Sequence, residues 1–551
     1  MIAQIAPLIR LPARADVFDY FVPDDLARAI QPGSLVRIPF RASKALGIVL
    51  ELAERQEPKT FRARPVDSLI EPEPILTVCQ LALVKKFSAY YVVTAGSVAR
   101  LMAPDRPERA SRAKLRNFKN IRFTVSPARL PELREAAECA SQNRFMRMWD
   151  VSSFVWLILH LAKHTKQSQI LILIPTIEMI EAIAGSVHKV CSTKLAVVHS
   201  GLSKGQYWHE YQKILSGGAR VILSTRQGVF LPIREHSQII FFDSTSEDFK
   251  QYDQHPRYDA RIVGEWLATI TKSKLLFASS SEMITGNGDM THFFQLPPSR
   301  GIGAPVTLVD MKNEMQRKDF SVIAGQTLEA IRETAGRNKK VAVIALREES
   351  EKGVSVKGIL EILTRELKNC KVSASLEQFD VLVATPQALE GLKLSSKKGN
   401  LGLLVVSSIE PMLAIPDYRS SERAYCRLSH WAMLGRELGF GRIILQSYSP
   451  DSLAIRAFAY GEFEAFAAAE RANRKELNYP PFSALIKLSY RAESRDAVDE
   501  LKRRLPNASG PFMDANGRQS LLIKLPHSAR LPDFSGLGSD WIIDRDPENI
   551  V

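Results

Sequence analysis

The chain reads as a multidomain α/β protein with a small β-rich N-terminal domain, two tandem α/β lobes and a C-terminal α+β domain. Three observations predict this. Two separate series of short apolar runs alternate with helix-length stretches through the middle of the chain, the pattern of parallel strands covered on both faces. The first hundred residues instead break into short strand-like runs cut by turn residues. The 551 residues also exceed the roughly 250 to 300 at which single cores divide into domains.

In the N-terminal domain, residues 1–105, strands are expected at Ile2 to Ile9, Phe18 to Val22, Ser34 to Pro39 and Ala45 to Leu52, with Pro32-Gly33 as a turn. Val78 to Val93 has helical length and ends near Gly96. A basic linker follows at 106–144. Between Arg106 and Arg122 it holds seven basic residues (Arg106, Arg109, Arg112, Lys114, Arg116, Lys119 and Arg122) against one acid, Glu108. Such a stretch is either a phosphate-contacting arm or a solvated hinge, and it contains a single aromatic for base stacking, Phe118.

The first lobe, 145–295, has expected strands at Ile170 to Ile174, Leu195 to Val198, Arg220 to Ser224, Gln238 to Phe242 and Lys274 to Ala278. The second, 296–450, has them at Val341 to Ala345, Val381 to Ala384, Leu403 to Ser407 and Arg442 to Gln446. Alternation with helices makes each a doubly wound unit. The C-terminal domain, 451–551, opens on a helical run from Leu453 to Asn473, passes through Tyr479-Pro-Pro-Phe-Ser483, and has strands near Leu485 to Tyr490 and Ser520 to Lys524.

Composition narrows the function classes. At 45% hydrophobic and 24% charged residues the chain is neither disordered nor a membrane protein. An excess of 74 Lys+Arg over 60 Asp+Glu gives +14 and makes nucleic acid the leading partner class. Cysteines at 79, 139, 191, 370 and 426 contain no Cys-x-x-Cys, so neither a disulfide framework nor a zinc knuckle is expected. His199, His209, His236 and His255 have no metal-ligand spacing. The N-terminus lacks a signal-peptide pattern, and no apolar run reaches the roughly 20 residues of a membrane span, so a cytoplasmic location is expected.

Four groups of residues resemble the primosomal protein N′ (PriA) replication-restart family, in the family's order. Val17-Phe-Asp-Tyr-Phe-Val-Pro23, Gly33-Ser-Leu-Val-Arg-Ile-Pro-Phe40, Gly47-Ile-Val49, Tyr90-Tyr91 and Leu101-Met-Ala-Pro104 are similar to its 3′ DNA-binding domain. His199-Ser-Gly-Leu-Ser203, Ala219-Arg-Val-Ile-Leu-Ser-Thr-Arg226, Phe249-Lys-Gln251 and Pro256-Arg-Tyr-Asp-Ala-Arg261 resemble its first helicase lobe. Phe379-Asp-Val-Leu-Val-Ala-Thr-Pro-Gln387 and Ile415-Pro-Asp-Tyr-Arg-Ser-Ser-Glu-Arg423 resemble the second, and Leu477-Asn-Tyr-Pro-Pro-Phe-Ser483 the C-terminal domain.

The motifs for ATP chemistry depart from that pattern. A P-loop needs glycines whose N–H groups cradle phosphate, a lysine, and a Ser or Thr for Mg²⁺. At that place the chain reads Met148-Trp-Asp-Val-Ser-Ser-Phe-Val-Trp156, without glycine or lysine. Bulky Trp149, Phe154 and Trp156 are expected to fill space there. The acidic motif reads Asp243-Ser-Thr-Ser246, with Ser244 where the second carboxylate is expected and Glu247 and Asp248 read as surface residues. Of the paired arginines near the end of lobe two, Arg436 remains and Met433 takes the other position. The family's zinc-binding insertion is reduced to Cys370, and its winged-helix module is shortened to the linker.

The resemblance therefore implies a DNA-binding replication-restart protein without ATPase activity, with no ATP, zinc or other cofactor and no catalytic residues. The expected DNA-binding residues are Phe18, Asp19 and Tyr20, from the family's 3′-end pocket, with Arg41 and Lys44, and Arg112, Lys114 and Arg116 as phosphate contacts. An aromatic can stack on a terminal base, and a carboxylate can accept a hydrogen bond from a base edge or a 3′-hydroxyl. Phe18 and Tyr20 also alternate onto one strand face, where they would pack. Forks and single-strand/double-strand junctions are the expected DNA, with single-strand-binding protein and other primosome proteins as partners. The competing readings are a divergent but active ATP-dependent 3′-5′ helicase and an interaction scaffold that does not bind DNA.

Overall fold

The computed structural model describes the chain except residues 10, 12–15, 54–62, 106–117, 119, 120, 122, 124, 141–144, 149, 165–167, 282, 283, 285–292, 296–304, 318, 319, 351–353, 395–399, 492–494, 515, 516, 527, 528, 530, 535, 539 and 551. It divides into two compact units. The first comprises Met1–Arg122, Ile158–Phe277 and Ser483–Val551, and the second Phe123–Leu157 and Ala278–Phe482.

The N-terminal sheet is antiparallel. Its strands are β1 (Ile2–Pro7), β2 (Phe18–Phe21), β3 (Leu35–Phe40), β4 (Ser43–Ala53) and the two-residue β5 (Ser68–Leu69), in the order β2-β1-β4-β3-β5. Ala3, Ile5, Tyr20, Val22, Val36, Ile38 and Val49 alternate inward to form its core. Gly33 makes the expected turn: its φ is 91°, and a Cβ there would lie 2.0 Å from the Leu76 carbonyl oxygen. Helix α1 (Val78–Tyr91) starts on a Thr77/Gln80 capping box, and α2 (Ala95–Met102) on Thr94.

Next come α3 (Leu130–Cys139), β6 (Phe145–Arg147), α4 (Val151–His164), β7 (Ile170–Leu173), α5 (Ile177–Cys191), β8 (Leu195–Val198), α6 (Lys204–Leu215), β9 (Val221–Ser224), β10 (Gln238–Phe242), α7 (Ala260–Ile270), β11 (Lys274–Ser279) and β12 (Phe293–Gln295). Within the first unit the strands run in the order β11-β10-β7-β9-β8, with β10, β7, β9 and β8 parallel. Every residue of β7, β8, β9 and β10 is buried, as strands covered on both faces require. In the second unit β6 and β12 pair in parallel.

The rest of the second unit is built from β13 (Val306–Asp310), α8 (Met311–Met315), α9 (Gly325–Gly336), β14 (Lys340–Ile344), α10 (Val356–Glu366), β15 (Val372–Ser373), β16 (Val381–Ala384), α11 (Gln387–Leu394), β17 (Leu401–Val406), α12 (Glu410–Leu413), α13 (Ser420–Leu438), β18 (Arg442–Ser447), α14 (Leu453–Tyr460) and α15 (Phe463–Glu476). Six parallel strands run β13-β18-β17-β14-β16-β15, between two apolar cores. The helical run expected from Leu453 to Asn473 is two helices, because Gly461 caps the first at φ 78°. Both pack on α13 through Tyr425, Ala454, Ala457, Phe463 and Phe466. The C-terminal sheet begins at Ser483.

That sheet holds β19 (Ser483–Tyr490), α16 (Asp496–Arg504), β20 (Ser509–Met513), β21 (Gln519–Pro526) and β22 (Trp541–Arg545), antiparallel in the order β20-β21-β19-β22. Val498 and Leu501 of α16 bury against Ile486, Leu488, Leu521 and Ile523.

Candidate nucleic-acid interface

Strand β2 lies along β1, with Phe18 opposite Ile5, Asp19 opposite Gln4 and Tyr20 opposite Ala3. The two-residue period of a strand sends Phe18 and Tyr20 to one face and Asp19 to the other. Tyr20 is buried, 5% exposed, and its hydroxyl donates to the Pro39 carbonyl at 3.0 Å. Its ring supports the sheet, so of the two expected aromatics Phe18 is the one that keeps accessible surface. Phe18 is half-buried and meets Phe40 edge-to-face, with ring centroids 5.4 Å apart. Asp19 is exposed.

The turn between β3 and β4 brings Arg41 and Lys44 to the same end of the sheet. Arg41 has φ 53°, its guanidinium lies 5.8 Å from the centre of the Phe40 ring, and its carbonyl accepts from Arg64 at 3.2 Å. Lys44 pairs with Asp67 at 2.9 Å. Phe40, Arg64 and Asp67 were not among the expected site residues. Phe40 alternates with Ile38 and gives no signal of standing at an exposed rim. Below this rim the Asp16 carboxylate accepts from the Ala95 N–H at 2.6 Å, anchoring the approach to β2 on the first turn of α2. Burial raises the Asp16 carboxyl above its ordinary range, against the Ala95 and Gly96 amides.

Arg112, Lys114 and Arg116 lie outside the described residues. Phe118, the aromatic of that stretch, lies tilted against His188 of α5 at 5.2 Å, and the nearby Ile121 carbonyl accepts from Ser186 at 2.8 Å. Phe118 is thus engaged by α5 rather than presented to a base.

Three residues, 148–150, connect β6 to α4. A phosphate cradle is a longer loop of several residues that wraps its N–H groups round the anion. At the start of α4 the Asp150 carboxylate accepts from the Ser153 N–H at 2.6 Å and from its hydroxyl at 2.8 Å, and Arg129 pairs with Asp150 at 2.9 Å. The Val151 N–H donates to Glu437 Oε1 from α13. Phe154 is fully buried and Trp156 half-buried, while Trp149 lies outside the described residues. Met433 belongs to the second unit's core. Arg436 is half-buried, and burial, followed by the charge of Arg147, lowers its pKa.

In the first unit, Asp243 sits in the left-handed region at φ 51° and closes a turn: its carbonyl accepts from the Ser246 N–H at 2.8 Å and its carboxylate from the Thr245 hydroxyl at 3.3 Å. Ser244 is buried, and its carbonyl accepts from Arg261 at 3.1 Å. Glu247 is half-buried and Asp248 exposed. Among the described residues no group of three or more His, Cys, Asp or Glu could hold a metal ion.

Several stretches that carry the family resemblance are packing devices. Lys250 is wholly buried, pairs with Asp544 of β22 at 2.9 Å and donates to the Arg545 carbonyl at 2.9 Å, while Arg257 reaches Asp544 at 3.3 Å. The Tyr91 hydroxyl accepts from the Asp259 N–H at 3.0 Å, and the Tyr90 hydroxyl donates to Asp546 at 2.8 Å. Arg545 lies 3.4 Å from the centre of the Tyr90 ring. These contacts join α1, the first lobe and the C-terminal sheet. In the second unit Arg474 pairs with Glu422 at 3.1 Å and lies over Tyr418, which stacks on Tyr479 at 4.8 Å.

An antiparallel β domain, parallel-sheet α/β lobes and a C-terminal antiparallel sheet make this a multidomain α/β protein. Residues 8–104 match the PriA 3′DNA-binding domain (3′BD). The replication restart protein PriA of Synechocystis is 24% identical over 486 residues, which cover 69% of this chain and 57% of that protein. Its counterpart in Rickettsia felis is 22% identical over 591 residues, covering 91% of this chain and 89% of that protein, and the Bacillus subtilis protein 22% identical over 60% and 51%. The chain is thus similar to PriA replication restart proteins over most of its length. Solved structures of RecG bound to a three-way DNA junction and of the DUF1998 helicase MrfA bound to DNA are both 11% identical. Their TM-scores are 0.38 and 0.37, over 65% and 72% of this chain and 50% and 57% of theirs. No helix among the described residues is long and apolar enough to cross a membrane.

Proposed function

We propose that this chain is a DNA-binding replication-restart protein that recognises forked DNA and nascent 3′ ends through its N-terminal domain, and that it does not hydrolyse ATP. The observation that carries the reading is the match of residues 8–104 to a 3′DNA-binding domain, on a sheet that exposes Asp19, Arg41 and Lys44 and leaves Phe18 half-buried. The second half of the reading is supported by the three-residue connection before α4, by Ser244 in place of a carboxylate and by the burial of Met433. Each removes a group that phosphoryl transfer uses for positioning or electrostatic stabilisation. Single-strand-binding protein and other primosome proteins are the partner class this role implies, acting in the cytoplasm.

One purified sample tests both halves. DNA-stimulated ATPase is expected at background, and turnover of about 1 s⁻¹ or more, within the usual enzyme range, would restore the helicase reading. For the 3′ end, forks ending in a 3′-hydroxyl or a 3′-phosphate are titrated with wild type and Asp19→Ala. In a merely basic groove the Asp19 carboxylate repels DNA, and its removal leaves affinity equal or higher. If it accepts a hydrogen bond from the terminal nucleotide, removal weakens the 3′-hydroxyl fork selectively. A charged hydrogen bond of about 1.5 to 3 kcal/mol corresponds to roughly ten- to hundredfold. Equal wild-type affinity for the two ends would leave only sequence-independent DNA binding.

A further inference from the structure

We propose that Glu437 is a built-in anion at the N-terminus of α4: its carboxylate takes the place that a phosphate would occupy, closes that helix end to phosphate ligands, and fastens α4 to α13 without a nucleotide. The proposal rests on the reading of this chain as one that does not hydrolyse ATP.

The first N–H groups of a helix have no partner within it, and together with the helix dipole they form a ready anion site. In α4 these donors are taken from within the protein. The N–H of Val151, the first helical residue, donates to Glu437 Oε1. The Ser153 N–H, two residues on, donates to Asp150 at 2.6 Å. Asp150 is local and caps the helix from the preceding residue, whereas Glu437 comes from 286 positions away, near the end of a 19-residue helix. The local cap takes only the Ser153 N–H, and the Val151 N–H is left to the distant carboxylate, which is a separate feature of the packing.

The surroundings favour an anion there. Arg436 precedes Glu437 on α13, and Arg147, at the end of β6, is close enough that its like charge, after burial, lowers the Arg436 pKa. Arg147 donates to the Ser280 carbonyl at 3.2 Å, and Arg129 holds Asp150 at 2.9 Å. Two like charges, Arg436 and Arg147, beside the residues that flank this contact favour a nearby carboxylate. Here the chain supplies it through Glu437, and only three residues separate β6 from α4.

The test uses the full-length chain with pyrophosphate as the probe, read by thermal unfolding against sodium chloride at matched ionic strength, with ATP turnover measured on the same samples. Wild type should show no saturable shift of its midpoint. Glu437→Ala should unfold at a lower temperature and gain a saturable upward shift with pyrophosphate that wild type lacks. Adding Val151→Pro, at a first helical position where proline is tolerated, removes the N–H and should abolish that gain. Glu437→Gln keeps the space filled without the charge; it should unfold below wild type and gain nothing from pyrophosphate.

A wild-type midpoint that responds to pyrophosphate as the Ala variant does would overturn the proposal. So would a folded Ala variant without the gain, or a gain that survives Val151→Pro. If the Ala variant does not fold, a Gln variant as stable as wild type overturns it. ATP turnover by wild type would sink the non-hydrolysing reading itself, whatever the Glu437 variants do.

Discussion

Lys44 and Lys250 each meet an aspartate at 2.9 Å, Asp67 for the first and Asp544 for the second. The Lys44 side chain is 62% exposed and that of Lys250 0%. The two contacts are alike in geometry and opposite in consequence. Water screens the first pair and competes for both partners, so Lys44 remains available to a phosphate. The second pair has left water altogether, and each charge depends on the other. A motif in this chain therefore has to be located before it can be given a role: the charges of the N-terminal sheet's edge face outward, and those of Phe249-Lys-Gln251 hold segments of the chain together.

The sharpest way to break this contrast is to remove one buried partner. Asp544→Ala leaves Lys250, and in part Arg257, without its carboxylate. The expected loss is about 3 to 5 kcal/mol, the usual range when one half of a buried pair is deleted. Replacing both members with apolar residues, Lys250→Met with Asp544→Leu, should recover most of it. Denaturant midpoints of the three proteins decide the matter. A loss under about 1 kcal/mol for Asp544→Ala would mean that Lys250 is hydrated in solution and that the two lysines are not so different.

The second unit offers a buried pair with a pH signature. Burial alone would raise the Glu422 carboxyl, but Arg474, the Ile284 N–H and Arg419 outweigh it, and its pKa lies below the ordinary value. An acid whose folded pKa is depressed stabilises the fold fully above the unfolded carboxylate range, and the contribution disappears as pH falls through the folded pKa. Glu422→Gln should cost about 1.5 to 3 kcal/mol near neutral pH, the worth of hydrogen bonds to a charged group. The gap between variant and wild-type midpoints should narrow as pH drops below about 4. A gap constant with pH would assign Glu422 a packing role without charge.

What could be read from the sequence follows the same division. Leu195–Val198, Gln238–Phe242 and Val381–Ala384 appear as strands with their observed limits, because strands buried on both faces are unbroken apolar runs with polar ends. The two-residue strands Ser68–Leu69 and Val372–Ser373 carry no such pattern, and the Phe145–Arg147 pairing with Phe293–Gln295 depends on a partner far along the chain. At the candidate site the resemblance named Phe18, Asp19 and Tyr20, and the strand's two-residue alternation allowed Tyr20 to pack, as it does. No local pattern joins Lys250 to Asp544 or Val151 to Glu437: each is a contact between distant residues, specified by the way the lobes are packed. Missing glycines before α4 showed what the sequence lacks there. They gave no sign of the carboxylate that the fold supplies instead.

The smallest expected effect sharpens the comparison from the exposed side. An exposed pair such as Lys44–Asp67 is worth about 0 to 1 kcal/mol, so Lys44→Ala should hardly move the unfolding midpoint. If Lys44 also neutralises a phosphate, the same change lowers the log–log salt slope of fork binding by about 0.7 to 0.9, equally for every sequence tested. Asp67→Ala separates the two roles. It frees Lys44 from a competing carboxylate and removes a negative charge from the face proposed to meet DNA, so fork affinity should rise while stability stays level. Replacing Arg112, Lys114 and Arg116 together gives the scale, because three phosphate contacts lower the slope by about three times as much as one. A Lys44→Ala protein with an unchanged slope would restrict Lys44 to its aspartate, and the edge of the N-terminal sheet would then have to meet DNA through Arg41 and its neighbours.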